Sequence, residues 1–457
     1  MTLASLGATH APPESTRFTA GVAAHYFGSA AACAASGDRG RETRVAPWPP
    51  NILASVVAML RHPTAPRAQG APLPPPTGTQ PATSAAHAAP AGGAAAGAVD
   101  AHAAIDAILA HIAAGDGRQP PLPEATAAAL LTDLASIVAA QPPLLALSAP
   151  LVVVGNLNGH AESLVDHFRF NGAPPRTRYL FLGSYVNGGS GSLNVLLLLA
   201  ALKIAYPHHV YLLRGVHESW SLALSHGFCD ACKGAYNVRF AKLCFVTIAF
   251  MPVAATVGGA LFCVNSGFPW SCVVPRQQPE IAFRTYAAGA VQWIANAEAG
   301  GYADGAGPAA AVPLLLGMQR PTTFGGHDLE EWLWNQPGPE AQATLFAAAD
   351  DGGAGNVFSP QATAAFLRAN GWYVLVRASR GVGGQGLCHG GRTLTLVGIR
   401  DYLNAYGNDA VALHVDGDLR LSYRTLPGRP APHAAATDAS QRQLNSKPTK
   451  NDGCVAS

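Results

Sequence analysis

Hydrophobic positions in this chain recur with two different periods, and the switch between them outlines a layered α/β domain. Ile105, Ile108, Leu109 and Ile112 fall at helical spacing, as do Leu130, Leu131, Leu134 and Ile137. Five short apolar runs follow, and each stops in a polar, glycine-bearing or charged loop. LVVV at 151–154 meets Gly155-Asn156-Leu157-Asn158-Gly159-His160, and YLFL at 179–182 meets Gly183-Ser184-Tyr185-Val186-Asn187-Gly188-Gly189. HVYLL at 209–213 meets Arg214-Gly215-Val216-His217-Glu218, ALFCV at 260–264 meets Asn265-Ser266-Gly267, and WYVLV at 372–376 meets Arg377-Ala378-Ser379. Helical segments such as 190–206 lie between the runs. The alternation predicts strands crossed by helices, with ligand sites beyond the carboxyl ends of the strands.

Outside this patterned stretch the chain changes character. Residues 1–98 are Ala, Pro, Gly, Ser and Thr with almost no apolar period, so they are expected to be disordered: too little surface can be buried to offset the entropy of ordering. A Gly/Ala-rich segment at about 270–320 is expected to be a surface insertion. From 393 to 425, LTLVGI, VALHV and LRLSYRTL are expected to form adjacent strands, with Asp416-Gly417-Asp418 as a hairpin turn. Residues 427–457 return to a polar composition and are expected to form a flexible tail. The domain is therefore placed at 99–426.

Composition narrows the class. Only 12% of residues are charged, against a usual figure of about 25%, and the net charge of +2 carries no basic block, so a nucleic-acid partner is not expected. Eight scattered cysteines without disulfide-like spacing favour a reducing compartment, cytoplasmic or nuclear. The first 25 residues lack a basic start followed by an apolar core, so no secretory leader is expected. The run from Val195 to Leu202 is shorter than the roughly 20 residues that span a bilayer.

The five loops together resemble the phosphoprotein phosphatase family of serine/threonine phosphatases, the type-1 enzymes most of all. That family carries GDxHG, GDxVDRG, GNHE, HGG and RAH; here the matching stretches read GNLNG, GSYVNGG, GVHE, NSG and RAS, in the same order. FNGAPPRTRYLFLG, LLALKIAYPHHVYLLRGVHE, HGFCDACKGAYN and DLEEWLWNQP between them also resemble family sequence. The resemblance implies a metallophosphatase-like fold, two central β-sheets flanked by helices. It would also imply two divalent metals, such as manganese or an iron–zinc pair, about 3.5–4 Å apart and activating a water for attack on phosphorus.

Carried over position by position, the resemblance finds all six ligands altered. The first-motif aspartate and histidine become Asn156 and Asn158, the bridging aspartate Ser184, and the GNHE asparagine Val216. The two later histidines become Asn265 and Ser379. Two +2 ions 3.5 Å apart repel by about 19 kcal/mol at an effective dielectric near 20, and amides and a hydroxyl carry no charge to offset that. No metal cofactor is therefore expected. The two phosphate-clamping arginines align with Gly188 and Gly352. His217 matches the family's acid, but its carboxylate partner is Asn187, an amide that orients a ring without stabilising an imidazolium. Arg214, Glu218, Arg377 and Tyr402 also match, the first three explained equally by loop packing and ion pairing.

The leading expectation is thus a pseudophosphatase acting as a protein-binding or scaffolding module. An active phosphoserine/phosphothreonine phosphatase with unusual ligands, phosphopeptide binding without hydrolysis, and a decayed enzyme remain as alternatives. In type-1 enzymes an apolar groove takes a partner's extended Val/Phe peptide, and its lining aligns with Leu261, Val374, Leu387, Leu419 and Leu421, although strand residues are apolar for core reasons too. His389-Gly390-Gly391 is expected to be a turn rather than a metal site. His226, Cys229 and Cys232 are expected to pack rather than hold zinc. Cys454-Val455-Ala456-Ser457 fits a farnesylation signal downstream of Lys447 and Lys450, so membrane contact is expected only if Cys454 carries a prenyl chain.

Overall fold

Every other residue of β2 (Leu151–Val154) faces a different hydrophobic layer, and that alternation organises the domain. Leu151 and Val153 join a cluster shared between two sheets, whereas Val152 and Val154 join a cluster shared with helices. The computed structural model describes residues 99–115, 120–273, 311–318, 320, 327–342, 344–348, 355–378, 386–402 and 407–428. The expected disordered N-terminal region, the expected tail from residue 429 onward, most of the expected insertion, Gly352, Ser379 and Cys454 lie outside the described residues.

The first sheet has six strands in the order β1 (Leu144–Leu147), β5 (Ala254–Val257), β6 (Leu261–Val264), β10 (Val374–Ala378), β12 (Thr393–Leu396) and β11 (Gly386–Cys388). The second has five, ordered β14 (Leu421–Leu426), β13 (Ala410–Val415), β2, β3 (Tyr179–Phe181) and β4 (Val210–Leu212). Strands β2, β3 and β4 run parallel, as do β6, β10 and β12, so their carboxyl ends open onto loops at matching ends of each sheet.

The two sheets face each other through Val153, Leu180, Leu213, Cys263, Val376, Leu396 and Leu413, all fully buried. Helices Ala101–Ala114, Glu124–Ala140, Ala161–Asn171, Ser192–Ala205, Phe228–Ala235 and Val238–Ala249 cover the far face of the five-stranded sheet. Helices Ala311–Leu316, His327–Trp334 and Pro360–Asn370 cover the far face of the six-stranded sheet. Two sheets flanked by helices is the architecture expected from the sequence. Helix Ser192–Ala205 is buried on nearly all sides and lacks a polar face, which explains its run of leucines.

Two local expectations are corrected. LTLVGI, VALHV and LRLSYRTL do not all pair side by side. Strand β12 belongs to the six-stranded sheet, while β13 and β14 form an antiparallel hairpin in the other. The chain crosses between sheets just after β12, where Val411 N donates to Val397 O at 2.7 Å. In helix Glu124–Ala140 the core position is Val138 rather than Ile137, because the helical face drifts from the assumed spacing. A small third sheet, β7 (Gln336–Pro337), β9 (Asn356–Phe358) and β8 (Phe346–Ala348), had no clear signal: its strands are two or three residues long.

Candidate functional site

The loops that leave β2, β3, β4, β6 and β12 converge, and one buried carboxylate joins the second to the third. Glu218 Oε2 accepts from Ser184 N at 2.6 Å and Gly215 N at 2.9 Å, while Oε1 accepts from Tyr185 N at 2.7 Å and Val186 N at 3.4 Å. Burial raises the Glu218 carboxyl pKa, against the opposite pull of those four amide donors. Arg214, also buried, donates from Nε to Glu218 O at 3.4 Å, and burial lowers its pKa to about 10.

Close backbone contact makes this junction possible. A Cβ on Gly215 would sit 2.0 Å from Ser184 N and 2.7 Å from Gly183 C, so only glycine fits there. Gly183 has φ +97°, and a Cβ on it would meet Gly215 N at 2.3 Å. Among the described residues, six non-glycines have positive φ, and four of them (Asn158, Ser184, Asn187 and Asp401) lie in these loops. Sparsely populated backbone conformations gather where a site over-determines them. The loop geometry of a site is present whatever chemistry it carries.

Asn265, at the end of β6, ties three implied ligand positions together. Its Nδ2 donates to Ser184 Oγ at 3.2 Å and to Leu182 O at 2.9 Å, and its Oδ1 accepts from Val216 N at 2.9 Å. Asn156, at the end of β2, bridges to Val397 and accepts at Oδ1 from Gly398 N at 3.4 Å. Asn158 is 3% exposed, and its Oδ1 has no hydrogen-bond partner among the described residues. The structure thus brings Asn156, Asn158, Ser184, Val216 and Asn265 to one end of the sandwich. Among the described residues no group of three or more His, Cys, Asp or Glu side chains converges as a metal site. The Asn265 amide directs N–H groups at Ser184 and Leu182, and an N–H group is no metal ligand. This donor set does not fit a dinuclear metal centre.

Asn187 Nδ2 lies 3.1 Å from His217 Nδ1, within hydrogen-bonding distance of the ring. With Nδ2 as donor, Nδ1 accepts and the ring proton sits on Nε2. The His217 ring also meets that of His226 edge-on at 5.9 Å. Arg377 is buried, donating from Nε to Ser266 O at 2.6 Å and from Nη1 to Thr395 Oγ1 at 3.2 Å, so it braces β6 against β10 and β12.

Beside these loops lies an open cleft of about 420 Å³, with Asn158, Glu162, Gly188, Arg400, Asp401 and Tyr402 in its lining. A Cβ on Gly188 would approach Tyr402 Oη at 3.3 Å, so the side chain missing at this position would have pointed towards the cleft wall. Arg400 Nη2 pairs with Asp166 Oδ2 at 2.5 Å. Glu162, Arg400 and Asp401 were missed by sequence reasoning. They follow no family string, and only their position after β2 and β12 could have marked them.

The remaining candidates settle into packing. His389 is buried in the turn before β12, its Nδ1 2.7 Å from Thr363 Oγ1 and its Nε2 2.9 Å from Gly338 O. Burial lowers its pKa to about 4. Cys229 and Cys232 are buried with Cys232 Sγ 3.9 Å from Cys244 Sγ, while His226 is exposed, so the three do not converge. Leu261, Val374, Leu387, Leu419 and Leu421 do gather in one cluster. Leu261 and Val374 are fully buried between the sheets and Leu421 nearly so, leaving Leu387 and Leu419 half-buried at the margin. Among the described residues no helix is long and apolar enough to cross a membrane.

A family model described as calcineurin-like phosphoesterase matches residues 149–379. Among solved structures, a protein serine/threonine phosphatase from Saccharomyces cerevisiae with similarity to human phosphatase PP5 superposes with a TM-score of 0.54 at 22% identity. That match covers 68% of this chain and 92% of the yeast chain. A cold-active protein-tyrosine phosphatase from a psychrophilic Shewanella species gives 0.37 at 14% identity, over 64% and 84% of the two chains.

Proposed function

The chain belongs to the calcineurin-like phosphoesterase family, and from that premise we propose that it is a serine/threonine phosphatase-like protein that binds other proteins without catalysing hydrolysis. The observation that carries this reading is Asn265. Its amide links Ser184 Oγ and Val216 N by neutral hydrogen bonds, among the positions where the family resemblance requires metal ligands. A bridging carboxylate is what makes two adjacent divalent ions tolerable, and at that position stands a hydroxyl already engaged. Aspartates left behind without metals would repel one another in a buried site, so amides keep the shape without the charge. No cofactor belongs to this reading.

Partner binding is supported by what the chain keeps. The Glu218 junction preserves the loops, and the leucines at the margin of the sandwich, Leu387 and Leu419, supply apolar surface for an extended Val/Phe-type peptide. The partner is a protein; the near-neutral composition gives nucleic acid nothing to bind. An active phosphatase with unusual ligands is the second reading, favoured by the His217 ring that Asn187 holds in place. Manganese titration of the purified chain with an aryl phosphate separates the two. Metal-dependent turnover that His217→Ala abolishes supports the second reading, and the absence of both metal uptake and turnover supports the first.

A further inference from the structure

We propose that Cys229, Cys232 and Cys244 form a redox relay, in which a hydroperoxide that reaches Cys229 yields a reversible disulfide between Cys232 and Cys244. The three thiols lie in the helix layer of the five-stranded sheet, so the inference is independent of whether the loops bind metal.

Two packed helices bring the thiols together. Cys229 and Cys232 are three residues apart in helix Phe228–Ala235, so they share one face, and Cys244 meets them from helix Val238–Ala249. Cys232 Sγ lies 3.9 Å from Cys244 Sγ. A disulfide needs about 2.05 Å, so a shift of about 2 Å closes the bond. The short helix Phe228–Ala235 has room for that shift: Ala231, Lys233 and Gly234 are exposed, and a Cβ added at Gly234 would meet nothing within 4 Å. Cys263 and Cys272 sit in other core clusters, so the trio is a separate group.

Burial grades the three thiols from the surface inward. Cys229 is 4% exposed, while Cys232 and Cys244 are fully buried. The exposed Lys233 ammonium pairs with Asp230 at 3.1 Å and lies beside Cys229, and both contacts raise its pKa. Burial raises the Cys244 pKa, which keeps that thiol protonated and makes it the last to react. The oxidant therefore meets Cys229 first. Its sulfur attacks one peroxide oxygen, the O–O bond breaks, and the products are a Cys229 sulfenic acid and water. The Cys232 sulfur then displaces that hydroxyl as a second water, closing a Cys229–Cys232 bond. Cys244 attacks the Cys232 sulfur, and Cys229 leaves as a thiol with the proton that Cys244 gives up. In all, two thiols lose two electrons and two protons, and the peroxide becomes two waters. Helix Phe228–Ala235 starts two residues after His226, whose ring meets that of His217 edge-on at 5.9 Å, so the bond fastens the element next to the candidate site. In a reducing compartment such a bond is transient, the pattern of a redox sensor.

Peptide mapping of the full chain tests this. Reduced protein is treated with hydrogen peroxide under native conditions and quenched with N-ethylmaleimide in urea. It is then digested for mass spectrometry with and without dithiothreitol. A Cys232–Cys244 cross-link that dithiothreitol removes is expected. Cys229→Ala should slow its formation at least tenfold. Cys244→Ala should instead trap the Cys229–Cys232 bond, and melting curves check that both variants are folded. Absence of a Cys232–Cys244 cross-link in the folded wild-type chain overturns the proposal, whatever the variants do. A cross-link that forms only when peroxide is added in urea overturns it as well. Formation at an unchanged rate in Cys229→Ala overturns the relay.

Discussion

Asn265 Nδ2 lies 3.2 Å from Ser184 Oγ, so two side chains on different sheets, at positions where a phosphatase would hold metal, bond directly to each other. The same amide spans onward to Leu182 O and Val216 N, making one side chain responsible for three buried partners. Replacing it by Asn265→Ala leaves the Val216 N–H, the Leu182 carbonyl and the Ser184 hydroxyl short of a partner. The expected loss is about 2–4 kcal/mol, given roughly 1–3 kcal/mol for each buried group left unsatisfied and some relaxation. Urea denaturation measures it, and a loss below about 0.5 kcal/mol would show that the network does not hold the loops together.

Gly215→Ala should be far more damaging than its one added methyl suggests. The Cβ would meet Ser184 N at 2.0 Å and Gly183 C at 2.7 Å, both main chain, as well as Glu218 Oε2 at 2.6 Å. Separating the two loops would break the Glu218 junction, and a loss above about 3 kcal/mol is expected. Gly234→Ala, in helix Phe228–Ala235 with open space around it, is the control and should stabilise by about 0.5–1 kcal/mol. Equal denaturation midpoints for the two variants would contradict the close-packed junction.

Much of this was legible beforehand, for identifiable reasons. The five apolar runs became strands because each is short, apolar and bounded by loop residues, and the joint register of the loops carried the fold. Val152 and Val153 could not be assigned to opposite layers from sequence, since both faces of a buried strand read as apolar. The crossing of the chain between sheets after β12 was hidden for the same reason. Asn265 was identifiable as a substituted position, but its three partners come from separate loops and appear only in three dimensions. Arg400 and Asp401 gave no signal: neither sits in a repeated or spaced pattern.

Stability should fall steeply with acid. Burial lowers the pKa of His167 and His389 to about 4 and that of His414 to about 3. Each ring is neutral in the folded chain and takes a proton near pH 6.5 when unfolded. Their stabilising effect is complete above pH 6.5 and is lost as the pH falls through 6.5 towards 4, by up to about 1.4 kcal/mol per unit from each ring. Glu218, with its pKa raised by burial, acts in the opposite direction but is one group against three. Melting at pH 5.0 should occur roughly 10 °C or more below melting at pH 7.5. An unchanged melting temperature would mean these rings are protonated in the fold.

Leu261→Arg should unfold the chain rather than report on peptide docking. Leu261 is fully buried between the sheets, and an unpaired cation there would cost several kcal/mol. Leu419→Ala is the informative change, since Leu419 is half-buried and covers Gly258. It should cost about 1 kcal/mol of stability while weakening a Val/Phe peptide. Binding that survives Leu419→Ala and Leu387→Ala alike would place the docking surface elsewhere.

Manganese stoichiometry decides whether this fold holds metal. The purified chain is titrated calorimetrically with Mn²⁺ near pH 7.5 and assayed with an aryl phosphate in the same samples. No ion is predicted to bind at micromolar concentration, and turnover should match that of buffer with manganese. Two ions bound per chain, with turnover that follows their binding, would contradict the account.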